Sequence, residues 1–299
     1  MQLFRKTVLL FGHSGALGGA VADAFAAARW RVIGCGPRAL PDAKKIAGTG
    51  LFSNGEQPSP PHETIELKPS DFNSLQAQGE YLARELQPLL ASGPPLHAAI
   101  CCSGAFACSP VSSEAFLAET ERLFQANCLP ALLCAHTAAV LFRNRQDTPQ
   151  TSQDTVPPLV VLTGAAAVSS HPPAPTPGMI GYGCAKVFVH HLVRSLAATQ
   201  VEKGFLGAKG GADSPGEPQS PPIDFRVVGI LPTVLDTPAN RDCMRDVPDE
   251  EKENSWTKVE EIAEKLVKWA DGEEAVENGG LYVVRTEKGK TTFLVPPEA

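Results

Sequence analysis

The sequence lacks the features that mark nucleic-acid-binding and membrane-spanning proteins. Acidic residues outnumber basic ones, 33 against 26, and no basic cluster could follow a phosphate backbone. No run approaches the roughly 18 consecutive apolar residues that a membrane span needs. The apolar start at residues 1–11 leads into a glycine-rich turn, which favours a first strand over a signal peptide. We therefore expect neither a nucleic acid nor a membrane as partner.

The cysteines also lack the spacing of a metal site or a disulfide framework. There are eight, none forms a Cys-x-x-Cys pair, and no histidine cluster accompanies them at zinc-ligand spacing. Cys101 and Cys102 lie in an apolar run, and Cys128 and Cys134 in a helical pattern. We expect reduced, mostly buried thiols in a cytoplasmic protein without a metal.

Short apolar runs alternate with helical patterns, which predicts a mostly parallel sheet with helical crossovers. Hydrophobic residues make up 43% and charged residues 20%, enough for a sizeable core. The expected fold class is α/β, a single doubly wound Rossmann-type domain over residues 1–299 with helices on both faces. Strands are predicted at Thr7–Phe11, Arg31–Cys35, Ala98–Ser103, Leu159–Thr163, Phe225–Leu231 and Leu281–Val284, and helices at Gly18–Ala28, Ser74–Leu90, Ala115–Phe142 and Tyr182–Ala198. A terminal hairpin is predicted to turn at residues 287–290 and return through Thr291–Val295.

Three stretches rich in Gly, Pro, Ser and Gln interrupt this pattern, at residues 48–61, 144–158 and 203–222. Each falls between a predicted helix and the next strand. Division of the chain at these stretches would leave fragments without enough strands for a sheet. They are therefore expected as expanded surface loops within one domain.

A glycine-rich loop, Gly12–Gly18, follows the first predicted strand and opens into a helix. Glycine permits a tight turn, close approach of a pyrophosphate and close packing of helix on sheet, and the helix N-terminus offers N–H donors. The loop predicts a dinucleotide site, with an ordinary strand-to-helix turn as the alternative. Its cofactor-binding residues would be Gly12, Ser14, Gly15, Ala16 and Leu17.

The residues after the second predicted strand leave the choice of nucleotide open. An acid at this place would bind the ribose hydroxyls, but residues 33–38 contain none. Arg38 could instead contact the 2′-phosphate of NADPH, or be a solvated surface charge. NADH and NADPH both remain candidates.

Tyr182 and Lys186 carry the strongest chemical signal. Their separation of four residues places them on one helix face, one turn apart. A neighbouring ammonium favours the phenolate, which makes the hydroxyl a better proton donor near neutral pH. The same lysine can hydrogen-bond a nicotinamide ribose. A Tyr-x-x-x-Lys pair that occurs by chance is the alternative.

The order of the glycine loop, the Tyr182–Lys186 pair and residues 230–237 resembles the short-chain dehydrogenase/reductase family over nearly the whole chain. The resemblance implies that Asn127 assists the pair, although this asparagine could equally bond to helix backbone or water. It also implies a family-typical homodimer through the helices that carry Asn127 and Tyr182. Further cofactor contacts are expected from Ser103, Gly104, Pro232 and Thr237.

The serine that usually completes this family's catalytic set is missing. Its place within residues 161–167 holds Ala165, and Ser169 and Ser170 follow in a proline-rich stretch. An ordinary ketone would need that hydroxyl to polarise its carbonyl. The absence fits a substrate that is already an activated electrophile.

Three longer stretches, residues 176–183, 231–241 and 255–257, resemble the dihydropteridine reductases, which lack that serine. This resemblance implies reduction of a quinonoid dihydropterin (dihydrobiopterin) to a tetrahydropterin (tetrahydrobiopterin) by NADH or NADPH. Tyr182 would supply or order the accompanying proton. Phe106 stands where these enzymes have a tryptophan, so it is expected to stack on the pterin, with core packing as the alternative.

Two other functions stay open. A carbonyl reductase of the same fold could use Ser169 or Ser170, and a dinucleotide-sensing protein could have lost turnover. His190 and His191 are expected at packing or surface positions rather than as ligands.

Overall fold

The computed structural model describes residues 4–37, 63–146, 156–170, 173–201 and 224–296. Within these ranges, strands and helices alternate along the chain. The strands are β1 (Thr7–Phe11), β2 (Arg31–Gly36), β3 (Glu63–Glu66), β4 (Leu96–Cys101), β5 (Leu159–Thr163), β6 (Arg226–Pro232), β7 (Leu235–Asp236), β8 (Thr257–Lys258), β9 (Leu281–Glu287) and β10 (Lys290–Leu294). The helices are α1 (Ala16–Ala27), α2 (Leu75–Ala91), α3 (Phe116–Gln146), α4 (Ile180–Val201), α5 (Pro238–Cys243), α6 (Asp249–Ser255) and α7 (Val259–Asp271).

One eight-stranded sheet forms the centre of the protein, in the order β10-β9-β6-β5-β4-β1-β2-β3. Every neighbouring pair is parallel except β9 and β10, which form the expected antiparallel terminal hairpin. The chain winds outward in both directions from β1 and β4, so this pair marks the switch point of the sheet. The predicted α/β fold is confirmed.

Helices cover both faces of the sheet, which is why its strands are continuous apolar runs. On one face, α1 and α7 enclose a core that includes Phe25, Trp30 and Trp269. On the other face, α2, α3 and α4 enclose a core that includes Phe142 and Leu162. All five residues of β1 are buried, because this strand lies at the centre between β2 and β4.

The structure departs from the expected elements at a few places. Helix α3 continues to Gln146, three residues into the loop expected at 144–158, and residues 147–155 lie outside the described part. The loops expected at 48–61 and 203–222 also lie outside it. Strand β3 was missed because it is a short edge strand whose two ends are glutamates, with only Ile65 buried.

Helix α3 is long and apolar enough, by length and composition, to cross a membrane. Half of its most apolar window, within Phe116–Arg143, is buried in the fold. Its inner face packs against the sheet and α4. These contacts are those of a core helix.

All eight cysteines lie in the described ranges as free thiols, and half of them, rather than most, are buried. Four are buried, and burial raises the pKa of Cys35 to about 12 and that of Cys101 to about 11. Three others, Cys108, Cys184 and Cys243, are exposed. Among the described residues, no group of three or more His, Cys, Asp or Glu side chains could hold a metal ion.

Candidate functional site

The glycine loop between β1 and α1 has the geometry of an anion-binding turn. Gly12 has a φ of +76°, and a Cβ there would lie 2.6 Å from the backbone nitrogen of Ser103. A Cβ at Gly18 would lie 2.1 Å from the carbonyl oxygen of Gly12, so helix and loop touch through backbone alone. Both positions require glycine.

The N-terminus of α1 is open towards this loop. Gly15 is its N-cap, no side chain caps the helix, and its first turn contains no acidic residue. Ser14, Gly15 and Ala16 are exposed, whereas the side chain of Leu17 is buried in the core and could offer a ligand only its backbone. Uncapped amides and the positive end of the helix dipole fit the pyrophosphate of a dinucleotide.

A histidine that the sequence did not single out supports the loop. His13 is fully buried, and its ring lies against β2, because a Cβ at Gly34 would be 2.7 Å from that ring. Up to Pro37, where this described segment ends, the end of β2 carries no acid. Arg38 lies outside the described residues.

The loops after β1, β4, β5 and β6 meet at the carboxyl-terminal edge of the sheet. Ser103 abuts Gly12, and a Cβ at Gly104 would lie 2.9 Å from Asn127 Oδ1 and 3.5 Å from Lys186 Nζ. The predicted residues from two loops and two helices are therefore adjacent. A ligand of an open α/β sheet binds at such an edge, next to the switch point.

Lys186 is almost completely buried, with 4% of its surface exposed. Its ammonium donates a hydrogen bond to the carbonyl of Thr163 at 2.9 Å and lies 5.7 Å from the centre of the Tyr182 ring. The hydroxyl of Thr163 donates to the carbonyl of Cys101 at 2.8 Å, which ties the ends of β5 and β4 together. Burial lowers the pKa of Lys186 to about 8.

The pKa of Tyr182 is raised in the structure, whereas the sequence predicted a more acidic phenol. Burial, followed by the neighbouring Cys108, raises its pKa to about 12, whereas a nearby ammonium was expected to favour the phenolate. The reason is geometric, since the Lys186 ammonium lies over the ring and bonds to Thr163. The phenol therefore keeps its proton at neutral pH.

Asn127 bonds to backbone, the alternative that the sequence left open. It is 1% exposed, and its Nδ2 donates to the carbonyls of Leu123 at 2.8 Å and Ala105 at 3.0 Å. Its Oδ1 accepts the Ala105 N–H at 3.4 Å. These bonds fix the loop after β4 beside Lys186, so Asn127 acts on the site through that loop.

The missing serine is not replaced by Ser169. Ala165 is buried and begins a short 3₁₀ turn, Ala166–Val168, at the end of β5. The Ser169 hydroxyl donates a hydrogen bond to the carbonyl of Ala166 at 2.8 Å. This hydroxyl is therefore bonded within its own 3₁₀ turn. Ala165, at the position where the resemblance implies a serine, thus offers no hydroxyl at the end of β5.

Phe106 is a wall of the site rather than part of the core. It is 59% exposed, and its ring meets that of Tyr182 edge to face, with 4.9 Å between ring centres and 79° between planes. The two rings form an aromatic corner. An exposed aromatic face of this kind fits a flat ligand.

The loop after β6 is ordered by its own polar side chains. Pro232 ends β6 and is buried, and the Thr237 hydroxyl caps α5 by accepting the Asn240 N–H at 3.2 Å. Asp236 accepts two hydrogen bonds from Arg241, at 2.5 and 2.8 Å, which lowers the pKa of Asp236. The Thr237 hydroxyl oxygen therefore caps α5, and the hydroxyl proton can still be donated to a ligand.

Comparison with known proteins finds a similar sequence and similar folds. The chain is 28% identical over 287 residues to a dihydropteridine reductase of Dictyostelium discoideum, covering 96% of this chain and 97% of that protein. A short-chain dehydrogenase/reductase from Serratia marcescens superposes with a TM-score of 0.64 at 16% identity, over 97% of this chain and 99% of that one. The fold is that of the short-chain dehydrogenase/reductases.

Two further structures with the short-chain dehydrogenase/reductase fold are similar. ElxO with NADP bound has a TM-score of 0.65 at 14% identity, over 93% of this chain and 96% of its own. An aldohexose dehydrogenase of Thermoplasma acidophilum has a TM-score of 0.62 at 15% identity, over 94% and 92%. No family model matches the chain. The resemblance to dihydropteridine reductase is confirmed, and the matches support an oxidoreductase.

Within this short-chain dehydrogenase/reductase fold, His190 lies closer to the site than its sequence position indicated. It is buried, as expected for a packing residue, but its ring contacts the end of β5 next to Lys186. Its spacing of four residues from Lys186 was the available signal, because that spacing repeats the one between Tyr182 and Lys186.

Proposed function

We propose that this protein reduces quinonoid dihydropteridines to tetrahydropteridines with NADH or NADPH. The observation that carries the proposal is the composition of one edge of the sheet. There an open helix N-terminus, a protonated tyrosine beside a buried lysine, and an exposed aromatic ring meet, with a methyl group in place of the serine hydroxyl. The similarity to a dihydropteridine reductase over 96% of the chain supports the same substrate class.

Each group of this edge has a distinct chemical role in the proposal. The amides of Ala16, Leu17 and Gly18 would hold the pyrophosphate, and a bound nicotinamide would supply the hydride. Tyr182 holds a phenolic proton at neutral pH and can donate it to the reduced ring system. Lys186 holds the positive charge beside that phenol. A quinonoid ring needs little carbonyl polarisation, so positioning of two flat rings is the main task.

A steady-state assay tests the proposal directly. Purified protein should oxidise NADH or NADPH rapidly with quinonoid dihydrobiopterin and slowly with simple ketones, after subtraction of the uncatalysed reaction. The opposite ranking would support the carbonyl reductase. Nucleotide binding without turnover of either substrate would support a dinucleotide sensor.

Phe106 should contribute to pterin binding. Replacement of Phe106 by alanine removes one face of the aromatic corner and should raise KM for the pterin about fivefold, since an aromatic pair contributes about 0.5–1.5 kcal/mol. Phe106→Trp should keep KM close to that of wild type. Leu294→Ala is the control, because it removes a similarly exposed apolar side chain from the edge strand β10. An unchanged KM in Phe106→Ala would remove this ring from the pterin site.

Turnover should depend on the protonation of Lys186. The lowered pKa means that its ammonium is present below a pH of about 8 and is lost as the pH rises through that value. We expect kcat to fall on the alkaline side with a midpoint near this pKa, because the neutral amine would hold the Thr163 carbonyl and a bound nicotinamide ribose less firmly. Lys186→Arg stays charged and should lose this alkaline limb in whatever turnover it keeps. A wild-type kcat that stays flat to a pH of roughly 10 would contradict this role.

A homodimer in the cytoplasm completes the proposal. Partly buried apolar side chains of α3 and α4, among them Leu141 and Leu192, are compatible with a contact between two copies. Eight free thiols fit a reducing compartment. Sedimentation that returns a single chain would reject the dimer.

A further inference from the structure

Two successive turns of α4 contact the end of β5. Tyr182, Lys186 and His190 are four residues apart and share one face of this helix. Lys186 Nζ donates to the carbonyl of Thr163 at 2.9 Å, and the backbone N–H of Ala165 donates to His190 Nε2 at 3.1 Å. The helix therefore binds the three-residue segment 163–165 at both of its ends.

The middle residue of this segment fits only as glycine. A Cβ at Gly164 would lie 2.4 Å from His190 Nε2 and 2.4 Å from Leu231 Cδ2. The backbone thus rests directly on the imidazole ring. On the sheet side, the Gly164 N–H donates to the carbonyl of Ile230 at 2.8 Å, so the segment is confined between the ring and β6.

The His190 side chain is a buried imidazole that is uncharged near neutral pH. It is 6% exposed, and burial, followed by the charges of Lys186 and Arg194, lowers its pKa to about 4. Because Nε2 accepts the Ala165 N–H, the ring proton belongs on Nδ1. A buried, uncharged ring that accepts the Ala165 N–H positions its neighbours and does not exchange protons near neutral pH.

We propose that His190 is a positioning residue that sets the place of the Lys186 ammonium through residues 163–165. Where the family has a serine hydroxyl, this segment has the Ala165 methyl, and it contributes to the site the Thr163 carbonyl that holds Lys186. The distance of that carbonyl from α4 is fixed one turn later by the bond between Ala165 and His190. This inference rests on the proposed function for its effect on turnover, but not for its effect on the lysine.

Three variants separate positioning from a general loss of stability. His190→Leu removes the acceptor and leaves the buried Ala165 N–H unpaired, whereas His190→Gln keeps an acceptor on a side chain of similar length. His191→Leu is the control, because His191 is exposed on the same helix and contacts only its neighbour Ser195 among the hydrogen bonds described. If His190→Leu does not fold, His190→Asn replaces it, since its shorter amide does not reach Ala165.

With quinonoid dihydropterin, His190→Leu should lower kcat about tenfold, because the buried Ala165 N–H loses its acceptor and the segment that holds Lys186 is displaced. KM for both substrates should stay within about twofold of wild type, and His190→Gln should recover most of the lost kcat. His191→Leu should behave as wild type. If the loss in His190→Leu came only from a general structural defect, the acceptor in His190→Gln would not restore kcat selectively.

A measurement without substrate decides the proposal independently. In protein labelled with ¹³C at lysine Cε, the Lys186 signal, assigned by its absence in Lys186→Arg, should titrate near the pKa of about 8. In His190→Leu this pKa should fall by at least about 0.5, because the ammonium loses its carbonyl acceptor, and in His191→Leu it should not move. An unchanged titration in His190→Leu would overturn the proposal. Absence of pterin turnover in wild type would overturn only the proposed function.

Discussion

Replacement of Tyr182 by phenylalanine should lower kcat for quinonoid dihydropterin about 100-fold or more, the usual loss when a positioned general acid is removed. In the proposed reaction the phenol is the proton donor, and burial keeps it protonated at neutral pH. Affinity for the nucleotide should stay within about twofold of wild type, because the pyrophosphate contacts come from the glycine loop. The measurement is steady-state turnover combined with titration of NADPH by fluorescence.

A second tyrosine provides the matched control for this substitution. Tyr81 lies on α2, where its ring packs on Phe72 with 5.2 Å between ring centres. Tyr81→Phe removes the same hydroxyl from a place away from the catalytic edge and should leave kcat unchanged. Equal kcat in Tyr182→Phe and wild type would exclude Tyr182 from the mechanism.

Replacement of Gly18 by alanine should cost both stability and nucleotide affinity. Its Cβ would lie 2.1 Å from the Gly12 carbonyl oxygen, 2.7 Å from the Gly12 carbonyl carbon and 2.9 Å from the Cα of His13. All three are backbone atoms, so α1 or the loop must move as a unit. Overpacking of this kind costs about 1–3 kcal/mol, and displaced amides should weaken NADPH binding at least about tenfold.

The adjacent residue gives the control for Gly18. The nearest atom to a Cβ at Gly19 is 4.0 Å away, which is ordinary contact. Gly19→Ala should therefore raise the unfolding free energy by roughly 0.5–1 kcal/mol, since alanine is favoured over glycine within a helix. Thermal unfolding and NADPH titration of both variants test the comparison. Equal affinities in Gly18→Ala and Gly19→Ala would show that close packing of α1 on the loop is not needed for binding.

The sheet was largely predictable because its central strands are buried on both faces. A run such as Thr7–Phe11 has no polar face that would blur its assignment. Strand β3 carries the opposite pattern, with Glu63 and Glu66 exposed or half-exposed at an edge, so its sequence does not differ from that of a loop. Its place depends on pairing with β2, which is a tertiary contact.

The sequence predicted which residues lie near one another in the site better than it predicted their pKa values. The spacing of Tyr182 and Lys186 placed both on one helix face, and the structure brings them to the edge that carries the glycine loop. The direction in which the Tyr182 pKa shifts could not be predicted from the sequence. It depends on burial and on the hydrogen bond that the Lys186 ammonium donates to the Thr163 carbonyl. The role of His13 depends likewise on its contact with Gly34, a residue of another strand.

We infer that a dinucleotide bound at the glycine loop places its nicotinamide beside Tyr182. A crystal structure of the complex with NADP⁺ tests it most directly. We expect the pyrophosphate at the amides of residues 16–18 and the nicotinamide within about 4 Å of the Tyr182 hydroxyl, on the side of Phe106. A nicotinamide that lies away from Tyr182, or a pyrophosphate bound elsewhere, would contradict it.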